Sequence, residues 1–166
     1  MKVRTYVLVV IVTLLTMSAA TKDVRLVEGL SPGDLAPGIK SLGNERDFNF
    51  QNHSGRYTLL NFWAAYDAES RVRNIRLSNE VKKLSSEKIS FRSISLDEKE
   101  SIFSETVRID KLNETTQFHA GQSEKSALYK KYNLKKGFKN YLINDKGVVI
   151  ATNITPDELT NVLKTI

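Results

Sequence analysis

The stretch YTLLNFWAA, Tyr57 to Ala65, runs directly into YDAESRVRN, Tyr66 to Asn74. The first part is rich in strand formers and nearly continuously apolar through its middle, the pattern of a strand buried on both faces. The second part opens a helix. Asp67 is a good N-cap, Glu69 falls in the first turn, and Ser70 can also take up free N–H groups. A turn of this kind, between a hydrophobic run and a helix start, is a place where a chemical site is expected.

The pattern continues in both directions. From Ala68 to Leu84 the apolar positions Val72, Ile75, Leu77, Val81 and Leu84 recur at helical spacing. KISFRSISLD, Lys88 to Asp97, predicts a second buried strand. EKESIFSETVRIDKL predicts a helix with Ile102, Phe103, Val107 and Leu112 near one face. QFHA, Gln117 to Ala120, predicts a short strand, and SEKSALYKKYNL a helix with Ser123 as its N-cap. KNYLINDKGVVIATN predicts a hairpin turning at Asn144–Gly147. The chain then closes on TPDELTNVLKTI, where Thr155, Pro156 and Glu158 form a capping box at a helix start. Strands alternating with helices require a parallel core sheet covered by helices, and the last hairpin adds an antiparallel pair.

Upstream, residues 21–56 predict an extended lead-in with turns at Ser31-Pro32-Gly33 and Ala36-Pro37-Gly38. A short hairpin or loop follows in NERDFNFQNHSGR. Residues 1–20 have the layout of a secretory signal: basic Lys2 and Arg4, an apolar run from Tyr6 to Met17, then small residues ending at Ala20. The run is shorter than the ~20 residues a spanning helix needs, so cleavage after Ala20 is expected. An uncleaved anchor is the alternative, and would be the chain's only link to a membrane.

Composition excludes several functions. The 166 residues suit one domain, and there is no cysteine. Thiolate catalysis, thiolate metal ligation and redox sensing by cysteine are therefore absent, and an exported domain of this kind rests on its core without disulfides. Net charge is +6, or +4 (23 basic against 19 acidic residues) without Lys2 and Arg4. Basic residues are interspersed with acids, which reads as a solvated surface and gives no sign of a nucleic-acid partner.

The ordered motifs resemble the thioredoxin-like superfamily, and within it the exported thiol-disulfide oxidoreductases of the TlpA/ResA type. SPGDLAPGIKSLG, GRYTLLNFWAA, ISFRSISLDE and YNLKKGFKNYLINDKGVVIA are each similar to a family motif and follow in the family's order. The resemblance implies a three-layer α/β fold, with a central mixed sheet, helices on both faces and a C-terminal β-hairpin plus helix over residues 57–166. It also implies a bacterial periplasm or cell envelope, where the sequons at Asn52, Asn113 and Asn153 carry no glycan signal.

The family's active site is Trp-Cys-x-x-Cys. Matching Asn61-Phe62-Trp63 to the family's Asn-Phe-Trp puts Tyr66 on the second aromatic, Asp67 on the first cysteine and Ser70 on the second. The cis-proline falls on Phe138, and the proline usual in the first helix falls near Ile75. No catalytic residue, cofactor or metal carries over. At a helix N-terminus a carboxylate takes the thiolate's electrostatic place without its nucleophilicity.

The leading functional expectation is a non-catalytic module that binds an envelope protein or peptide through the former active-site groove, offering Trp63, Tyr66, Asp67 and Phe138. Against it stand packing roles for Trp63, Tyr66 and Phe138, a subordinate subunit beside an active oxidoreductase relative, and a structural module using another face. Ser70 as a nucleophile would need His53 or His119 within reach. A metal on Asp67, Glu69 and a histidine would need two acids that point apart on the helix to converge.

Overall fold

The computed structural model describes residues 26–40, 42, 48, 50, 51 and 55–165. The signal-like segment therefore lies outside the described residues, as does most of the expected hairpin in residues 44–56. Among the described residues no helix is long and apolar enough to cross a membrane.

Five strands form one mixed sheet in the order β3-β2-β1-β4-β5: β1 Tyr57–Trp63, β2 Ile89–Ser95, β3 Gln117–His119, β4 Asn140–Ile143 and β5 Val149–Thr152. The helices are α1 Ala68–Val81, α2 Glu100–Ile109, α3 Gln122–Lys131 and α4 Pro156–Thr165, with 3-10 turns at Glu114–Thr116 and Leu134–Lys136. β1 lies at the centre, parallel to β2 from Tyr57↔Ile89 to Trp63↔Ser95 and antiparallel to β4 from Thr58↔Ile143 to Asn61↔Asn140. This is the α/β architecture expected from the alternation.

Successive side chains of β1 serve opposite faces of the sheet. Leu60 and Phe62 join Ile94, Leu128, Tyr132, Tyr141 and Ile143 on one face. Leu59 joins Leu77, Phe91, Leu142, Leu159 and Leu163 on the other. Burying each of these large side chains contributes about 1.5–3 kcal/mol, which is why so short a strand can anchor the domain. Ile39, Leu42, Phe48 and Phe50 of the lead-in belong to the first cluster, so the lead-in is part of the core. Its backbone also covers the β5 edge, with Gly33 N donating to Val149 O at 2.9 Å and Val149 N to Asp34 O at 2.9 Å.

The local signal holds at the start of the last helix. Thr155 N donates to Glu158 Oε2 at 2.8 Å and Glu158 N to Thr155 Oγ1 at 3.3 Å, the two halves of a capping box. At α3 the expectation needs correction. The cap is Gly121, which has no side chain to offer, and Ser123 already lies inside the helix. The stripe on α1 also differs from the apolar spacing. Ser70, Asn74, Leu77 and Ser78 face the sheet, while Val72 is 47% exposed.

Candidate functional site

The polar stripe on α1 has a partner under the sheet. Asn61 sits in the middle of β1 and is fully buried, as are Asn74 and Ser93. Asn61 Nδ2 donates to Asn74 Oδ1 at 3.2 Å and to Ser93 Oγ at 3.0 Å. Ser93 Oγ donates to Asn74 Oδ1 at 2.6 Å, and Asn74 Nδ2 to Gln117 Oε1 at 3.0 Å. Four side chains from β1, α1, β2 and β3 thus fix the helix over the sheet by hydrogen bonds where apolar contact would be ordinary. In so dry a place each bond is directional and costly to break.

A second network holds the turn itself. Ala65 N donates to both carboxylate oxygens of Asp97, at 2.9 and 3.1 Å. Ser95 Oγ donates to Asp97 Oδ2 at 2.7 Å, and His119 Nε2 meets Asp97 O at 3.0 Å. His119 also stacks on Phe103, centroids 5.5 Å apart, so it is structural. Trp63, expected on the groove, is fully buried against Val107 and Leu112. As the last residue of a central strand it has sheet and helix on both sides, so it supports the turn from beneath and offers nothing to a ligand.

Above this base the turn closes as the sequence implies. Asp67 is the N-cap of α1, its Oδ1 accepting from Ser70 N at 2.8 Å. Hydrogen bonding with Ser70 holds the Asp67 carboxyl below the ordinary carboxylate range against a desolvation that opposes it, and the Arg73 charge adds to the effect. Ser70 is buried. Its Oγ donates to Asp67 O at 3.1 Å and accepts from Ala64 N at 3.3 Å. The Ser70 hydroxyl is thus buried and committed, and His119 is engaged elsewhere; among the described residues no histidine serves it as a base, and His53 lies outside them. Among the described residues no three His, Asp or Glu side chains gather as a metal site would require.

Tyr66 stands out from the turn, 67% exposed. Its hydroxyl lies 3.2 Å from that of Tyr129, and its ring is 6.3 Å from Phe138. Tyr129 and Phe138 are also 6.3 Å apart, edge to face. Burial, and then the Tyr129 hydroxyl, raise the Tyr66 pKa, so the phenol stays protonated. Phe138 belongs to the loop Lys136–Lys139, in which Gly137 takes φ +110°; among the described residues there is no cis peptide bond. Arg73 Nη2 ties this loop to α1 by donating to Phe138 O at 2.7 Å. Burial lowers the Arg73 pKa, and its Nε has no partner.

Between α1 and this loop runs a groove of about 810 Å³, lined among others by Asp67, Val72, Arg73, Arg76, Phe138 and Ile154. Of the four side chains expected there, the structure brings Tyr66, Asp67 and Phe138 together at the surface and sets Trp63 beneath them. The sequence reading did not single out Asp97, Arg73 or Tyr129. Asp97 had a visible signal, an acid at the end of an apolar strand segment. Tyr129 and Arg73 had none, because their places depend on how α3 and α1 meet the loop.

The fold defines a class, a thioredoxin-like domain, and this chain has no cysteine. The chain belongs to the thioredoxin-like family. It is similar to a thioredoxin-like protein from Parabacteroides distasonis, with 61% identity, TM-score 0.77, and coverage of 84% of this chain and 99% of that one. The fold also matches the thioredoxin domain of a thiol-disulfide oxidoreductase from Bacteroides vulgatus, with TM-score 0.69, 22% identity, and 82% and 98% of the two chains covered. StoA from Bacillus subtilis matches at TM-score 0.57 and 18% identity, over 74% and 92%. No protein-family model matches the sequence, and no curated protein does.

Proposed function

We propose that this chain is a redox-silent recognition domain of the bacterial cell envelope, binding a segment of another protein or a peptide in the groove beside its former active-site turn. The observation that carries the reading is the open groove of about 810 Å³ flanked by an exposed aromatic, Tyr66, with Phe138 as one wall. Aromatic side chains beside a concave surface are the usual anchors of protein recognition. With no cysteine in the chain, thiol-disulfide exchange has no thiol to begin it. The basic and apolar start of the sequence supports export, and an N-terminus at Thr21 in the native protein would establish cleavage.

The test is affinity capture from envelope extracts with the full chain and with the Tyr66→Ala/Asp67→Ala variant. A discrete partner lost with the variant, while the variant keeps the native circular dichroism spectrum, is expected. Equal capture by both would remove the groove from the function.

A further inference from the structure

The contact between Tyr129 and Phe138 lies between two grooves, and Tyr66 sits against both rings. Phe138 is a wall of the first, and Tyr129 is a wall of a second groove of about 730 Å³ beside α3. Both are rimmed by cations. Arg76, Lys136 and Lys139 line the first, with Arg73 set against Asp67 and Glu69. Lys125, Lys130 and Lys135 line the second, against Glu98 alone.

These cations are uncommitted. Elsewhere, Arg71 is held by Asp110 at 2.7 Å, Lys83 by Glu80 at 2.7 Å and Arg108 by Glu105 at 2.5 Å. Among the described residues, Arg76, Lys125, Lys130, Lys135, Lys136 and Lys139 take part in no ion pair. A surface that leaves like charges facing one another across two concavities is complementary to negative charge on a partner. The apolar rings between the grooves require something more than charge.

We propose that the occupant of this face is an acidic, extended protein segment that seats an aromatic or aliphatic side chain on Tyr66, Tyr129 and Phe138 and lays carboxylates into the basic grooves on either side. This rests on the groove reading above and names the chemistry of its partner. A flexible polyanion would use the cations and leave the rings unused. A neutral segment would use the rings and leave the cations unpaired.

The experiment is calorimetric titration of the full chain with three peptides of equal length sharing one central tyrosine, flanked by Asp/Glu, by Asn/Gln or by Lys, and with dextran sulfate. The acidic peptide is expected to bind at least about tenfold more tightly than the neutral one, with affinity falling as salt rises. The Lys135→Glu/Lys136→Glu variant should lose about tenfold for the acidic peptide alone. Lys88→Glu, at the opposite end of β1 and β2, should lose nothing. Tyr66→Ala should weaken the acidic and neutral peptides together.

Acidic and neutral peptides binding equally, both sensitive to Tyr66→Ala, would overturn the acidic preference and leave the groove reading standing. Dextran sulfate binding as tightly as the acidic peptide, indifferent to Tyr66→Ala, would overturn the peptide in favour of a polyanion surface. No binding by any of the four, with the variants folded, would overturn both.

Discussion

The underside of the Tyr66–Ser70 turn and the loop facing it, Lys136–Lys139, are held in opposite ways. Beneath the turn, Asn61, Asn74, Ser93 and Gln117 form one buried network, Asp97 fixes the Ala65 amide, and Trp63 fills the space below. The loop is tied to α1 by the Arg73 bond to Phe138 O and to β1 by Phe62 N donating to Lys139 O at 3.0 Å, and depends on a glycine at φ +110°. The turn rests on a rigid buried base, whereas the loop that faces it is held at few points. Buried polar networks resist change because losing one partner strands the others. A solvent-facing loop has no such constraint.

The contrast can be broken at several depths. Trp63→Ala should cost the most, about 4 kcal/mol, because the cavity lies between a central strand and α2; a fall in the urea midpoint at unchanged m-value would show it. Asn74→Ala should cost about 3 kcal/mol by leaving Asn61, Ser93 and Gln117 short of partners. If it proves neutral, the network is incidental. Gly137→Ala should cost about 1–2 kcal/mol through backbone strain alone, since a Cβ there meets no atom within 4 Å. Hydrogen exchange should quicken around residues 136–139 and leave β1 protected.

Asp67→Ala should cost about 1 kcal/mol as a lost cap. Its pH dependence has a definite sign. The folded carboxyl titrates below its ordinary 3.8, so the native cap contributes fully above that value. The contribution fades as pH falls through the lowered folded pKa, and the gap between native and variant should close there. Thermal melts between neutral pH and pH ~3 would follow it. Tyr66→Ala should change stability least, by under about 0.5 kcal/mol, and still remove partner capture. A large destabilisation would instead make Tyr66 part of the fold.

Much of this was legible in the chain. The Thr155/Glu158 capping box, the strand at Tyr57–Trp63 and the cap at Asp67 depend on near neighbours, so periodicity and cap chemistry find them. The apolar spacing on α1 told only part of its buried face: Leu77 is fully buried and Ile75 and Val81 pack against the core, yet polar residues share that face. Here Val72 points out and Ser70, Asn74 and Ser78 point in. Asn61 in an otherwise apolar strand was the available hint, since a polar residue buried there must have partners.

The sequence by itself determined the alternation that makes the sheet, and the absence of any cysteine, which leaves no thiol for disulfide exchange. Both are properties of residue type and local order. Only the tertiary structure decided that Trp63 lies under the turn, that Arg73 reaches the loop 65 positions away, and that Tyr66, Tyr129 and Phe138 meet between two basic grooves. Those contacts join residues distant in the chain. Their geometry follows from how helices settle on the sheet, which no local pattern encodes.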